Sequence, residues 1–109
     1  MGSRGCINRC CYCGEQPYWK VYRFRRAGNV LRELEHHIAT TGVRHFHFCD
    51  SLINGNMREL DALLDLIIER NLSIIWYGMA AIRKEMTFEV LEKMKRAGCL
   101  QINYGVESG

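Results

Sequence analysis

Of the six cysteines in this chain, Cys6, Cys10, Cys11 and Cys13 fall within eight residues, while Cys49 and Cys99 stand far from them and from each other. Disulfides closed over two or three residues restrain an unfolded chain least, so the group is no disulfide framework. Thiolates crowded on one loop instead suit a metal or a metal cluster. Cys6, Cys10 and Cys13 make a Cys-x3-Cys-x2-Cys run, and Cys11 would compete with Cys10 for geometry, so it reads as a spectator. Iron–sulfur clusters usually take four cysteines; a 4Fe-4S cluster held by three keeps one iron open to a small molecule. Zinc would need a fourth protein ligand, or water at a catalytic site. The nearest histidines, His36 and His37, lie in a helical stretch and form no close-spaced knuckle. Iron–sulfur, zinc and redox-thiol chemistry all remain open to these residues.

Such a loop must be carried by something, and the rest of the chain repeats a unit of helix, stop and strand. The stops are Gly42, Asn71 and Gly98, residue types that tolerate the left-handed conformation just past a helix. Each precedes a strand-like run, at residues 43–48, 72–77 and 99–104. The first and third alternate apolar and polar, whereas the middle one is more continuously apolar, as for a strand covered on both faces. Before the stops lie helical stripes: Val30, Leu31, Leu34 and Ile38; Leu60, Leu63, Leu64, Ile67 and Ile68; Phe88, Leu91 and Met94. Asn56 with Glu59, and Thr87, are expected to cap the second and third helices.

Alternating helix and strand at this period predicts an α/β fold with parallel strands and right-handed crossovers, a partial TIM-like (β/α) barrel of about three β/α units plus the cysteine loop. A complete eight-unit barrel takes ~250 residues, so 109 residues are expected to be one piece of a larger domain, truncated at both ends. A strand should precede the cysteine loop, where only residues 1–5 are available.

Composition excludes several classes. The chain is 48% apolar and 25% charged, a globular mix. A net charge of +3 gives no argument for a nucleic-acid or membrane partner. The longest apolar stretch, residues 72–82, falls short of the ~18 residues a membrane span needs. A soluble, cytoplasmic chain is expected. Lys20, Arg23, Arg25 and Arg26 interleave with Trp19, Tyr22 and Phe24, a pattern that could stack and pair with RNA but reads first as a cofactor-covering loop or a solvated face. His45 and His47 read as a polar strand face, and Cys49 and Cys99 as packing residues.

In parallel α/β folds the chemistry sits where strands run into the loops before helices. This filter passes residues 6–26, 49–56, 78–85 and 105–109, so the cysteines fall on the functional side. The run from Cys6 to Cys13, with Tyr12 before the last cysteine, resembles the Cys-x3-Cys-x-aromatic-Cys motif of radical S-adenosylmethionine enzymes. The likeness continues through Ser3, Arg4 and Gly5, through residues 46–51 and 54–56, and through Arg83, Met86, Thr87 and residues 104–109. It is most like the branch that often carries a cobalamin-binding domain upstream. It covers essentially the whole chain, and about half of the usual catalytic domain.

The resemblance implies a 4Fe-4S cluster on Cys6, Cys10 and Cys13, with S-adenosylmethionine chelating the open iron. Reductive cleavage of that cofactor to a 5′-deoxyadenosyl radical would serve hydrogen abstraction, methylation or rearrangement of an unknown small-molecule or peptide substrate. It further implies an electron donor such as flavodoxin or ferredoxin, and cobalamin if an upstream domain carries it. Tyr12 matches the aromatic near the adenine, and Glu107 and Ser108 the polar groups facing the ribose and methionine. Asp50 holds the place of an acidic motif near the cofactor's amino group, without its Gly-Gly-Glu form, and Arg83 that of a carboxylate partner. The bland counterparts are caps, with Glu107 and Asp50 as helix-capping acids. The competing functions are an inactive cluster-binding fragment and a small zinc-binding interaction module.

Overall fold

A computed structural model describes residues 1–10 and 12–106 of the chain. The elements run β1 (Ser3–Arg4), α1 (Glu15–Trp19), β2 (Arg23–Phe24), α2 (Ala27–Thr41), β3 (His45–His47), α3 (Met57–Glu69), β4 (Ile75–Ala80), α4 (Phe88–Arg96) and β5 (Cys99–Tyr104). Strands β3, β4 and β5 pair in parallel in that order, as the repeat of helix and strand predicts.

The three stops work as expected. Gly42, Asn71 and Gly98 all have positive φ, at 72°, 51° and 93°. At Gly98 the need is steric as well, because a Cβ there would lie 1.9 Å from the Ile74 carbonyl oxygen. At the other helix ends, the Asn56 side chain accepts from the Glu59 N–H and Thr87 from the Val90 N–H, which satisfies donors that have no partner within the helix.

The core lies between the helices and one face of the sheet. Leu31 and Leu34 of α2 and Leu60, Leu64 and Ile67 of α3 pack with Phe48, Trp76 and Met94. Trp76 is 1% exposed, meets Phe48 edge-on at 5.4 Å, and donates its indole N–H to the Ala97 carbonyl at 3.0 Å. The indole thus fills the layer between sheet and α4 without stranding a polar atom.

Three expectations are corrected. Strand β4 occupies residues 75–80 rather than 72–77, because residues 72–74 are used in leaving α3: the Leu72 N–H returns to the Ile67 carbonyl, and the Ile74 N–H to that of Leu72. It is not covered on both faces, since Trp76, Gly78 and Ala80 are buried while Ile75, Tyr77 and Met79 are exposed. In α4 only Met94 of the expected stripe is buried; Phe88 is 74% exposed. That helix meets its neighbours along an edge formed by Val90, Met94 and Ala97, and Lys93 bridges from it to Asp61 and Asp65 of α3.

The strand expected before the cysteines is present as β1, but it pairs antiparallel with β2 rather than joining the parallel sheet. The chain doubles back on itself around the cysteine loop, and this two-residue ladder closes the excursion.

Candidate functional site

The polypeptide from Gly5 to Tyr22 forms a loop over the ends of the parallel strands. Cys6, Cys10, Tyr12 and Cys13 line a cavity of about 450 Å³ together with Ser51 and Leu52 beyond β3, residues 79–82 at the end of β4, and Gly105 beyond β5. All the walls apart from the loop are therefore strand C-terminal ends, where the backbone turns out of the sheet and side chains are not consumed by packing.

Cys6 and Cys13 are half-buried and Cys10 is exposed; all three are free thiols. The loop folds tightly around them: the Cys13 N–H reaches the Cys10 carbonyl at 3.2 Å, and the Asn8 N–H lies 3.3 Å from the Cys6 sulfur. Among the described residues, no three His, Cys, Asp or Glu side chains converge on a common point suited to a metal ion. What the structure brings together is a donor set of three soft thiols on one cavity. Three thiols are donors of the kind an iron–sulfur cluster takes, and among the described residues no histidine lines the cavity. Cys11 lies outside the described residues.

The two loops opposite the cysteines are joined to each other. Asn54, fully buried, donates to the Ala81 carbonyl at 2.8 Å and accepts from the Ala81 N–H at 2.9 Å. Arg83 donates from Nη1 to the carbonyls of Asn54 and Gly55 at 2.8 and 3.0 Å, and pairs through Nη2 with Glu85 at 3.1 Å. The Ile53 N–H bonds to the Met79 carbonyl at 2.8 Å. Ladder hydrogen bonds end with the strands, so these contacts take over and make the exits of β3 and β4 one wall.

The residues expected at the site separate accordingly. Cys6, Cys10, Cys13 and Tyr12 share the cavity, with Tyr12 66% exposed. Arg83 sits behind the wall, its guanidinium bound to protein carbonyls and Glu85. Asp50 is 4% exposed and accepts from Gly2 and Ser3 rather than lining the cavity. Glu107 and Ser108 lie outside the described residues. Cys49 is exposed rather than packed, while Cys99 is half-buried, and burial pushes its thiol up to about 11. His45 and His47 form the expected polar strand face, with His47 stacked on Tyr77 at 4.7 Å. Sequence reasoning gave Asn54 no role; a side-chain amide following an apolar residue in a loop carries no sign that it will be buried against a second loop.

Parallel strands, crossover helices and a thiol loop at the strand C-termini define a segment of a TIM-like α/β fold. The family model of the Radical SAM superfamily matches residues 2–109, and the chain belongs to that family. It is 23% identical over 107 residues to the anaerobic magnesium-protoporphyrin IX monomethyl ester cyclase of Rubrivivax gelatinosus, covering 97% of this chain and 19% of that protein. An uncharacterised methyltransferase of Pyrococcus horikoshii is 27% identical, over 99% of this chain and 24% of its own length. The structure superposes with a TM-score of 0.81 and 24% identity on the radical S-adenosylmethionine methyltransferase TsrM of Kitasatospora setae, solved with cobalamin and a 4Fe-4S cluster bound. That match covers 96% of this chain and 20% of TsrM, and it shows the shared fold. The chain thus spans about a fifth to a quarter of the length of these relatives. Among the described residues, no helix is long and apolar enough to cross a membrane.

Proposed function

We propose that residues 1–109 are the cluster- and S-adenosylmethionine-binding segment of the core domain of a radical S-adenosylmethionine enzyme. The observation that carries this reading is the placement of Cys6, Cys10 and Cys13 on one cavity at the ends of three parallel strands. Cys6, Cys10 and Cys13 would hold the cluster by three irons. When bound, the cluster supplies an electron, received from a flavodoxin- or ferredoxin-class donor, for reductive cleavage of the carbon–sulfur bond of S-adenosylmethionine.

This chain's own residues would bind and orient the cofactor. Tyr12, beside the last cysteine, would offer an aromatic face to the adenine. Leu52, Met79, Ala80 and Ile82 give the cavity an apolar wall. Asn54 and Arg83 hold that wall in shape. Glu107 and Ser108 follow β5 in the sequence, and the family resemblance gives them polar contacts to the ribose and methionine parts. Two of the relatives bear methyltransferase names, which supports methyl transfer, with cobalamin in an upstream domain, as the first outcome to look for.

Anaerobic reconstitution with iron and sulfide, followed by electron paramagnetic resonance of the reduced protein, tests the reading. A 4Fe-4S signal that changes on adding S-adenosylmethionine, and is lost when Cys6, Cys10 and Cys13 are all replaced by Ala, is expected. Zinc held on the same thiols, with no cluster assembled, would overturn it in favour of a zinc-binding interaction module.

A further inference from the structure

The cysteine loop stands on two feet, and both rest on the end of β3. Strands β1 and β2 join the feet, with Ser3 opposite Phe24 and Arg4 opposite Arg23. Under them lies Asp50. Its Oδ2 accepts the Gly2 N–H at 3.0 Å, and its Oδ1 accepts both the Ser3 N–H and the Ser3 hydroxyl, the latter at 2.7 Å. The Ser3 hydroxyl also lies 3.3 Å from the Leu52 carbonyl. From the other foot, Tyr22 lines the same small cavity as Ser3, Asp50 and Asn56. The Tyr22 ring covers Gly55 so closely that a Cβ there would lie 2.4 Å from the phenolic oxygen.

A carboxylate buried this deeply is costly unless donors occupy its lone pairs. Among the described residues, every donor to Asp50 comes from the foot of the cysteine loop. The residues that follow it, Ser51 and Leu52, are cavity wall. One buried acid therefore sits between the loop that carries the thiols and the wall that faces them.

We infer that Asp50, Ser3 and Tyr22 act as a single positioning staple, which sets the cysteine loop at a fixed height over the strand ends. Asp50 works through the backbone of the loop foot and does not touch the cofactor. The inference rests on the reading of Cys6, Cys10 and Cys13 as cluster ligands, but the staple itself is measurable without a cluster.

The variants are Asp50→Asn, Ser3→Ala and Tyr22→Phe. In Asp50→Asn a single amide oxygen must serve three donors, and the new NH2 group meets an N–H. Amide hydrogen exchange on the cluster-free chain is the first readout. Losing a hydrogen bond to a charged group should speed exchange at residues 2–5 and 22–25 by about ten- to a hundredfold in Asp50→Asn. Ser3→Ala and Tyr22→Phe should do so by about two- to tenfold. Amides of α3 should not change in any of the three.

The second readout is the electron paramagnetic resonance signal of the reconstituted protein. All three variants should broaden it in the same way, and Asp50→Asn combined with Tyr22→Phe should add little beyond Asp50→Asn alone. The staple is refuted if exchange at the feet stays as in the unaltered chain, or if only Asp50→Asn alters the response to S-adenosylmethionine while Ser3→Ala and Tyr22→Phe leave the signal unchanged. The latter pattern would make Asp50 a direct cofactor contact. If no cluster forms even in the unaltered chain, the proposed function fails, and the exchange pattern still decides the staple.

Discussion

Between α2 and α3, Leu31 is 3% exposed, Leu34 5%, Leu60 3% and Leu64 0%, whereas across the cysteine loop Tyr12 is 66% exposed, Tyr18 76% and Val21 64%. The first region is held by apolar burial spread over many side chains. The second is held at its feet by a few directed hydrogen bonds and a two-residue ladder. Burial is non-directional and survives small shifts, while a hydrogen bond fails within a few tenths of an ångström. The body can therefore be stable whatever the loop does, while the position of the loop depends on the few contacts at its feet. Tyr22 joins the two regimes: its ring and phenolic oxygen pack on Gly55 beside the polar foot, and burial is the leading cause that raises its ionisation above the usual phenol range.

The hardest test of this division is Trp76→Ala. It removes the largest fully buried side chain, its contact with Phe48 and its bond to Ala97, and should cost about 4 kcal/mol of stability in denaturant unfolding. Exchange at the loop feet should then follow global unfolding alone; selective loosening of the feet would break the separation. Asn54→Ala should cost less, about 2 kcal/mol, since two hydrogen bonds to Ala81 are lost in a buried setting. Its loss should fall on exchange at residues 52–55 and 79–83, and an effect confined to α2 would contradict the role given to the wall.

A smaller effect is carried by pH. Burial pushes the Cys99 thiol up to about 11 in the folded chain, from an ordinary value of 9.0. Its contribution is present in full below pH 9 and is lost as pH rises toward 11, because the unfolded thiol releases its proton first. Stability measured across that range should decline, and Cys99→Ala should flatten the decline. Smallest of all should be the triple replacement of Cys6, Cys10 and Cys13 by Ala, within about 0.5 kcal/mol for the cluster-free chain, as for partly exposed side chains outside the core. The same replacement should abolish iron uptake. A large loss of stability without metal would show that the thiols belong to the core, and the comparison would fail.

Much of the body was legible because its signals are local. A left-handed stop favours Gly or Asn whatever the surroundings, and Gly42, Asn71 and Gly98 mark those after α2, α3 and α4. Caps at Asn56 and Thr87 act within three residues of themselves. Strand β4 was misplaced because apolar character does not distinguish a residue leaving a helix from one in a strand: Leu72 and Ile74 pack inward from a turn, and the ladder begins only at Ile75. In α4, Phe88 and Leu91 have helical spacing, but which edge of a short helix meets its neighbour is settled by the neighbour.

At the site the division is the same. The spacing of Cys6, Cys10 and Cys13, and Tyr12 between them, are properties of one loop, so the sequence by itself determined that these thiols lie together and, through the order of helices and strands, the end of the sheet on which they stand. Only the tertiary structure decided that Asp50 accepts from the loop's foot, that Asn54 and Arg83 weld two strand exits, and that Tyr22 covers Gly55. Those contacts join residues far apart in the chain, 47 positions for Ser3 with Asp50 and 27 for Asn54 with Ala81. A polar side chain carries no mark of the partner it will find, because that pairing exists only once burial has removed water as the competitor.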